Sequence, residues 1–452
     1  MARRSAAQLE PATGRIDALN SDGWGVVRPA EGGKTVFVAG ALPGELVQYR
    51  VRRRERNHDQ AELLAVLEAA ADRITPRCAH FGICGGCSLQ HLASESQLAV
   101  KDRELREALR RIGKVEPVEW LPPLAGEAWG YRRRARLGAR FVHAKGRSLV
   151  GFREKMTSFV ADVQRCEVLR PEVGALVGEL GRLVTALSIP ERIPQIEVAV
   201  GDNRTVLVVR VLSAPTPADR DKLLAFERTH GVSILLQPGP PDQLEPVSAD
   251  QPQLWYELPA YDLRLAFEPA DFIQVNGAMN RLLIDRVLEL LALTAEARVL
   301  DLFCGLGNFT LPLARRASEV VGIEGDAGLI ERARANALRN GIANAAFHVA
   351  NLAGEAAVER CLALAGKRGF SHVLLDPPRT GAMDVLPALA RIAPRRLVYV
   401  SCHPGSLARD LGILVTQHGY TLQSAGIVDM FPHTSHLESV AVLDGPEARR
   451  PA

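Results

Sequence analysis

One thiol near the carboxyl terminus is placed for covalent chemistry. Cys402 follows the apolar run 397–400 and Ser401, and Pro404 comes two residues later. Such a run predicts a buried strand that ends at a proline turn, and α/β sheets bind ligands at the carboxyl ends of their strands. Free cysteine is also among the most buried residue types. The local sequence therefore leaves two alternatives open, a nucleophile and a small residue of the core.

A second group of thiols lies much earlier in the chain. Cys78, Cys84 and Cys87 have the spacing Cys-x5-Cys-x2-Cys, and the glycines between them let the backbone wrap closely around a bound group. Cys166 is the best candidate for a fourth ligand, because it is the only other cysteine outside the C-terminal half. An odd number of cysteines in a long chain without a signal peptide favours metal or catalytic roles over disulfides. Four thiolates hold either zinc or an iron–sulfur cluster, and spacing alone does not decide between them.

The elements that must position Cys402 begin at about residue 280, where strand-like and helix-like patterns alternate as in a doubly wound sheet. The strand pattern 298–302 leads to Gly305 and Gly307, which allow a ligand to approach the backbone. A second strand pattern ends in Glu324, a carboxylate that can accept both hydroxyls of a ribose. Neither a third glycine nor a P-loop lysine follows, so this is not a dinucleotide fingerprint. A dehydrogenase or an ordinary α/β fold stays open as an alternative at this point.

The N-terminal region has a different pattern. Residues 14–70 alternate short apolar runs with glycine turns, which predicts a small barrel of four or five strands. The motifs at residues 22–27, 36–38 and 43–45 resemble the TRAM domain, an oligonucleotide-binding-like barrel of RNA-modifying enzymes. Trp24 is then placed to stack on a base, and the alternative is that Trp24 and Phe37 fill the barrel. Residues 72–275 predict a mainly antiparallel central domain.

Composition and charge narrow the function classes. With 452 residues, 47% hydrophobic and 24% charged, the chain is predicted to form about three folded domains. The net charge is only +3, but basic residues concentrate at 50–56, 110–114 and 132–140. That distribution is typical of a surface that meets phosphates, and solvated arginines are the alternative for any one cluster. No run approaches the roughly 18 apolar residues of a membrane span, and the first residues lack a signal-peptide core, so a cytoplasmic protein is expected.

Two further motifs complete a family resemblance. Asp376 follows a strand pattern and precedes Pro377-Pro378-Arg379, and Glu438 lies in His-Leu-Glu-Ser-Val at 436–440. Together with the cysteine strand end and the glycine turn, they resemble the RNA uracil-C5 methyltransferases, which have a Rossmann-like fold that binds S-adenosylmethionine. Methyltransferases that act on amino groups carry an aromatic residue where Arg379 stands, which argues against methylation of a nitrogen.

The resemblance implies a covalent mechanism. Carbon 5 of uracil is too weak a nucleophile to take a methyl group from a sulfonium, so Cys402 first adds to carbon 6. Glu438 then removes the proton from carbon 5; without the family match it would be interpreted as a surface glutamate at a strand start. Asp376 is implied to contact the cofactor or the uracil edge, and Asn351 stands where an acidic residue often meets adenine. The residues implied to bind the cofactor are Gln274, Phe303, Gly305, Asn308, Glu324, Asn351 and Asp376.

The resemblance covers nearly the whole chain. It implies a TRAM barrel over residues 1–71, a central domain over 72–275 with a [4Fe–4S] cluster on the four cysteines, and an S-adenosylmethionine-dependent methyltransferase domain over 276–452. This layout is most similar to family members that methylate a uridine in 23S ribosomal RNA. RNA is therefore the expected partner of a monomer that binds neither membrane nor DNA.

Three alternative functions stay open. The same chemistry could act on tRNA or on another ribosomal site, because the sequence does not show which RNA fits the basic surface. Radical S-adenosylmethionine methylthiotransferases also join a TRAM barrel to an iron–sulfur cluster, but they use Cys-x3-Cys-x2-Cys. A non-catalytic RNA-binding protein would not need Cys402.

Overall fold

The computed structural model describes residues 10–29, 32–240, 243–250 and 253–446. The chain forms two compact units, the first from residues 1–101, 152–161 and 431–436 and the second from residues 102–151, 162–430 and 437–452. The three-domain division at residues 71 and 275 stays a prediction. No helix in the described ranges is both long and apolar enough to cross a membrane.

The first unit is built on a single sheet. Its strands are β1 (Ala12–Arg15), β2 (Ala18–Leu19), β3 (Gly25–Val27), β4 (Thr35–Ala39), β5 (Leu46–Arg54) and β6 (His58–Glu68). They follow the order β1-β5-β6-β4-β3-β2, in which β4 and β6 run parallel and the other described pairs antiparallel. The sheet occupies the region where the sequence predicted a small barrel, but it has six strands where four or five were expected, and β5 and β6 are long.

Strand alternation decides which side chains fill the core of this sheet. In β4, Val36 and Val38 are buried among the core residues, whereas Phe37 lies between them in sequence and is only half-buried. Because successive side chains of a strand point to opposite faces, Phe37 instead stacks on His58 of β6, with ring centroids 4.8 Å apart. The expectation that Phe37 fills the barrel was therefore wrong.

Helix α1 covers Ser94–Ala108 and continues into a π-helical turn, Leu109–Gly113. The remaining strands are β7 (Glu119–Trp120), β8 (Arg134–Val142), β9 (Arg147–Gly151), β10 (Gln195–Val200), β11 (Thr205–Arg210), β12 (Val232–Gln237), β13 (Glu245–Pro246), β14 (Leu254–Leu258), β15 (Leu263–Phe267), β16 (Arg298–Leu302), β17 (Glu319–Glu324), β18 (Ala345–Val349), β19 (His372–Leu375), β20 (Arg396–Ser401), β21 (Thr421–Val428) and β22 (Glu438–Asp444). The remaining helices are α2 (Pro171–Gly174), α3 (Val177–Ala186), α4 (Pro217–His230), α5 (Gly277–Leu291), α6 (Thr310–Ala314), α7 (Ala327–Arg339), α8 (Glu355–Ala365), α9 (Leu386–Ile392) and α10 (Pro404–His418).

A mostly antiparallel sheet occupies the middle of the sequence, in the order β13-β12-β11-β10-β8-β9. Four of its five described pairings are antiparallel, and the exception is β11 with β12, which are joined through α4. A parallel pair needs such a crossover, because a tight turn can only reverse the chain. Strands β10 and β11 form a hairpin, and the sheet has the mainly antiparallel character expected for this region.

The C-terminal part of the chain supplies most of an eight-stranded sheet, whose order is β18-β17-β16-β19-β20-β22-β21-β7. Strands β16 to β20 pair in parallel, and β22 runs antiparallel to β20. The strand order reverses between β16 and β19, and such a switch point opens a crevice at the carboxyl ends of the strands. Strand β7, which precedes the predicted methyltransferase domain by more than a hundred residues, pairs with β21 at the edge of this sheet.

Candidate active site

Cys402 lies directly after the last residue of β20, at the carboxyl edge of the parallel strands. The next residue, His403, is the N-cap of α10, and its Nδ1 accepts the Ser406 N–H at 3.1 Å. Pro404 starts the helix, because its fixed φ suits the first turn and its missing N–H is not needed there. The thiol is half-buried beside a helix N-terminus, and the positive end of the helix dipole favours a thiolate at such a position.

Sheet register brings Glu438 to the thiol. Ser401 pairs with Ser439 in the antiparallel ladder of β20 and β22, and the Ser439 hydroxyl donates to the Ser401 carbonyl at 3.0 Å. Extending this register by one residue sets Cys402 opposite Glu438, the first residue of β22. Glu438 is 3% exposed, so it is a buried carboxyl and not the surface glutamate of the alternative interpretation.

The charges around Cys402 act against one another. Burial raises the pKa of the Cys402 thiol, the carboxyls of Glu438 and Asp376 raise it further, and the Arg379 guanidinium lowers it. Burial also raises the pKa of Glu438 well above its usual range, with a further contribution from Asp376. The pKa of half-buried Asp376 rises to about 7 through desolvation. These two carboxyls therefore hold at least one proton between them near neutral pH, because two like charges cannot both ionise cheaply in such a site.

The turn after β16 brings three of the predicted cofactor residues close together. Gly305 and Gly307 have φ of +55° and +95°, and Phe303 also adopts a left-handed backbone with φ of +66°. The Gly305 N–H donates to the Glu324 carboxylate at 3.2 Å, so the two predicted cofactor positions are adjacent. A methyl group added at Gly305 would meet no atom within 4 Å, so open space lies in front of this backbone.

The other predicted cofactor residues occupy less direct positions. Asn308 is held by its neighbours, since its side chain accepts from Tyr256 at 2.8 Å and exchanges hydrogen bonds with Asn280. Asn351 is exposed, and its amide oxygen accepts the Ala353 N–H in a local turn. Gln274 is half-buried just before α5. The roles of these three residues stay predictions.

Asp301 was missed by the sequence reasoning. It lies fully buried in β16, its Oδ2 accepts the Thr310 hydroxyl at 2.6 Å, and its Oδ1 has no hydrogen-bond partner among the described residues. Burial raises its pKa to about 7, opposed by Thr310 and helped by the neighbouring charges of Asp376 and Glu324. The available signal was a carboxylate inside an otherwise apolar strand pattern, which is expensive to bury without a function.

This edge fits S-adenosylmethionine. The ligand carries a sulfonium, an ammonium and ribose hydroxyls, which call for negative charge and hydrogen-bond acceptors. Asp301, Glu324 and Asp376 offer three carboxyls that influence one another electrostatically, including the unsatisfied oxygen of Asp301. The open glycine turn supplies the close backbone approach.

The cysteine loop, residues 78–91, contrasts with this edge. Cys78, Cys84 and Cys87 belong to the first unit and Cys166 to the second. The Gly86 N–H donates to the Cys84 sulfur at 3.4 Å, and the ammonium of Lys155 lies 4.3 Å from the centre of the Phe81 ring. Even so, the described part of the chain contains no group of three or more His, Cys, Asp or Glu residues arranged to hold a metal ion. The geometry does not support the predicted iron–sulfur cluster, because turns and isolated bridges do not fix the thiols as sheet register fixes Cys402.

Comparison with known proteins agrees with the geometry of the second unit. Residues 250–445 match the family described as tRNA (Uracil-5-)-methyltransferase. The chain is 50% identical to the 23S rRNA (uracil(1939)-C(5))-methyltransferase RlmD of Alkalilimnicola ehrlichii, over 98% of both chains. The protein of the same name from Stenotrophomonas maltophilia is also 50% identical, over 98% of this chain and 100% of its own length.

A solved structure extends the likeness to three dimensions. The Pyrococcus abyssi tRNA (uracil-54, C5)-methyltransferase, in complex with S-adenosyl-L-homocysteine, superposes with a TM-score of 0.71 at 25% identity, covering 95% of this chain and 99% of that one. The two full-length relatives are both named as uracil-C5 methyltransferases of 23S rRNA. The chain belongs to the S-adenosylmethionine-dependent RNA uracil-C5 methyltransferases.

Proposed function

We propose that this enzyme methylates carbon 5 of a uridine in 23S ribosomal RNA. The observation that carries the proposal is the Cys402 thiol set by sheet register opposite the buried Glu438 carboxyl, beside an open cofactor turn. The choice of 23S rRNA is supported by full-length relatives with that printed substrate. Membership of the family removes the methylthiotransferase alternative.

In the proposed first step, the Cys402 sulfur forms a bond to carbon 6 of the uracil. The thiol proton is released to solvent, since Cys402 is half-buried and the pair of Asp376 and Glu438 already holds a proton. The electron pair of the C5–C6 double bond moves towards carbon 5 and the carbonyl oxygen, which makes carbon 5 nucleophilic. Arg379 assists because its guanidinium stabilises the thiolate against the two carboxyls.

When bound, S-adenosylmethionine supplies the electrophilic methyl group that carbon 5 accepts. Glu438 then takes the proton from carbon 5, the C5–C6 double bond re-forms and the bond to the Cys402 sulfur breaks. Glu438 must be ionised to act as this base, and its raised pKa means that the ionised form grows as the pH rises. Asp301, Glu324 and Gly305 position the cofactor from the β16 and β17 side.

The substrate is tested by mass spectrometry of 23S rRNA and tRNA from cells with and without the gene. Loss of 5-methyluridine from 23S rRNA alone is the expected result, and plasmid-borne wild type should restore it whereas Cys402→Ala should not. Loss from tRNA would establish the tRNA alternative. If neither RNA changes, and the purified enzyme methylates neither transcript, the proposed function is wrong.

We also propose functions for the first unit. Its six-stranded sheet is a TRAM-type RNA-binding barrel, supported by the exposed cations Arg52, Arg53 and Arg54 at the end of β5. The cysteine loop binds a [4Fe–4S] cluster or zinc through Cys78, Cys84 and Cys87, with Cys166 as the fourth ligand predicted from sequence. Support comes from the thiolate chemistry and from the Lys155 ammonium, whose pKa is lowered by burial and raised by Cys87 and Cys84. No catalytic step passes through this loop.

The metal proposal is tested on protein purified without oxygen. Iron with inorganic sulfide, together with visible absorption, would identify the cluster, and bound zinc without sulfide would identify the alternative. Protein that carries neither would overturn both. Size-exclusion chromatography coupled to light scattering tests the proposed monomer, and binding to DNA of matched sequence tests the proposed RNA selectivity.

A further inference from the structure

A basic groove lies in the second unit, away from the residues placed in the catalytic step. It has a volume of about 590 Å³ and is lined by the end of α1, the π-helical turn and β7. Its cations are Arg103, Arg106, Arg110 and Lys114, and the half-buried Trp120 forms part of the wall. Two carboxylates also line it, Glu107 and Glu116, so the lining has four positive and two negative side chains.

Three of these cations are available to a ligand. Arg103, Arg110 and Lys114 are exposed, and within the described ranges none of them forms an ion pair. Arg106, by contrast, pairs with Asp102 at 2.5 Å and lies 4.0 Å from the centre of the Trp120 ring. The stacked Arg106 and Trp120 therefore form a fixed wall, while the three other cations lack counter-charges.

The two carboxylates of the groove offset only part of its positive charge. Glu107 is paired with Arg111, which lies outside the lining, at 3.5 Å. Glu116 is exposed and is left as the single carboxylate of the lining that has no ion pair in the described ranges. The groove therefore keeps an excess of positive charge, which is the electrostatic footprint of a phosphate-binding surface.

The groove is fixed rigidly to the helix that follows the nucleophile. A methyl group on Gly113 would lie 2.5 Å from the Ala408 carbonyl oxygen, and one on Gly412 would lie 2.6 Å from the Gly113 carbonyl oxygen. The π-helical turn thus touches the backbone of α10 directly. Ala408 is six positions after Cys402, and the step from Pro404, where α10 begins, to Ala408 is about 6 Å along the helix.

The side chain of Ile112 approaches the catalytic loop still more closely. Its Cδ1 lies 3.8 Å from where a Cβ on Gly405 would be, three residues after Cys402. Ile112 itself is 55% exposed. The turn that lines the groove therefore reaches the residues that directly follow Cys402.

We infer that the basic groove binds the phosphate backbone of the RNA strand that flanks the target uridine. This inference rests on the proposed function. Arg103, Arg110 and Lys114 contact phosphates. The wall formed by Arg106 and Trp120 fixes the direction in which the RNA strand runs. Phosphate contacts fix register without reading sequence, so the groove determines which part of the RNA lies at the catalytic thiol.

The test is a triple variant, Arg103→Ala/Arg110→Ala/Lys114→Ala, assayed on a 23S rRNA fragment. The KM for RNA should rise roughly tenfold or more at low salt with kcat unchanged, because the groove touches no reacting atom. Each phosphate contact to a single strand contributes about 0.7 to the slope of log affinity against log salt, so the slope should fall by about 2. The matched control, Arg228→Ala/Arg360→Ala/Lys367→Ala, removes two arginines and one lysine that are exposed and do not line the groove.

The outcomes separate this inference from the proposed function. The inferred RNA binding by the groove would be wrong if the groove variant kept the wild-type KM and salt slope. It would also be wrong if the control variant lost as much affinity for RNA as the groove variant. Neither result would bear on the proposed methylation of 23S rRNA. A fall in kcat at constant KM would also overturn it, because the groove would then act on the chemistry. If the wild type methylates no RNA, the proposed function fails. The RNA affinities of the two triple variants would still show whether the groove binds RNA. Unchanged unfolding temperatures of both variants confirm that the fold is intact.

Discussion

Two cysteine-bearing regions of this enzyme are organised by opposite means. At the proposed catalytic edge, Cys402 follows β20 and Glu438 begins β22, and the ladder of these two strands sets them opposite each other. In the cysteine loop, Cys78, Cys84 and Cys87 follow one another in turns and isolated bridges. The described residues assemble the first pair without any ligand and do not assemble a metal site in the second.

The difference shows what a sheet contributes to a reactive site. Backbone hydrogen bonds of a ladder are shared over many residues, so the position of a strand-end side chain does not depend on its own contacts. A loop has no such support, and its thiols need a bound ion to hold them together. Chemistry that requires a fixed distance before substrate arrives is therefore found at the strand ends.

Removal of the proposed nucleophile, Cys402, should have the largest effect and tests the role of the strand end most directly. Cys402→Ala should lower the methylation rate by roughly 10⁴-fold or more, because no other thiol occupies the strand end and the loss of a nucleophile is rarely compensated. Single-turnover assays with radiolabelled cofactor measure the rate, and gel-shift titration should show RNA binding within about threefold of wild type. Near-normal turnover would instead support a non-catalytic role for this strand end.

Removal of the base should have a smaller effect and leave a visible intermediate. Glu438→Gln keeps the shape of the side chain but cannot take the proton from carbon 5, so turnover should fall about 10²–10⁴-fold. The methylated uracil should stay joined to Cys402, which a denaturing gel would reveal as a protein–RNA adduct. Normal turnover without an adduct would show that Glu438 is not the base, although the sheet register sets it opposite Cys402.

The balance of charges at Cys402 predicts a pH effect. Arg379 lowers the pKa of the Cys402 thiol, so Arg379→Ala should raise that pKa and reduce the thiolate fraction at any given pH below it. The acid limb of the rate profile should move to higher pH, and a limb that moves by one pH unit should lower the rate at neutral pH about tenfold. Activity should recover as the pH rises, and Arg379→Lys, which keeps the charge, should move the profile less. A loss that is equal at all pH values would mean that Arg379 binds RNA and does not tune the thiol.

The cysteine loop should show the smallest effect on chemistry. Cys87→Ser is expected to leave kcat within about threefold, because no step of the reaction uses this loop, but to release bound iron or zinc and lower the unfolding temperature. Cys361→Ser is the matched control, since Cys361 is also buried but belongs to α8 and not to the loop. Equal metal content in the two variants would remove the loop as a metal site.

Much of the candidate site could be proposed from the sequence because its residues lie next to glycines or prolines, which mark turns. Cys402 stands between an apolar strand and a proline, Asp376 precedes two prolines, and Gly305 begins a turn that demands a left-handed backbone. Asp301 escaped prediction because its importance comes from burial beside other carboxyls, which are distant in sequence. Asn308 was placed at the cofactor by motif, and only the fold shows its hydrogen bonds to Tyr256 and Asn280.

The sequence by itself predicted the chemistry through its resemblance to the RNA uracil-C5 methyltransferases, because the local patterns at Cys402 and Glu438 each left another interpretation open. The tertiary structure decided their geometry. Only the antiparallel insertion of β22 beside β20 sets Glu438 opposite Cys402 and buries it. Only the packing of the π-helical turn against α10 joins a basic groove to the helix of the nucleophile. Strand order and helix packing depend on contacts between residues far apart in the chain, and no local pattern encodes them.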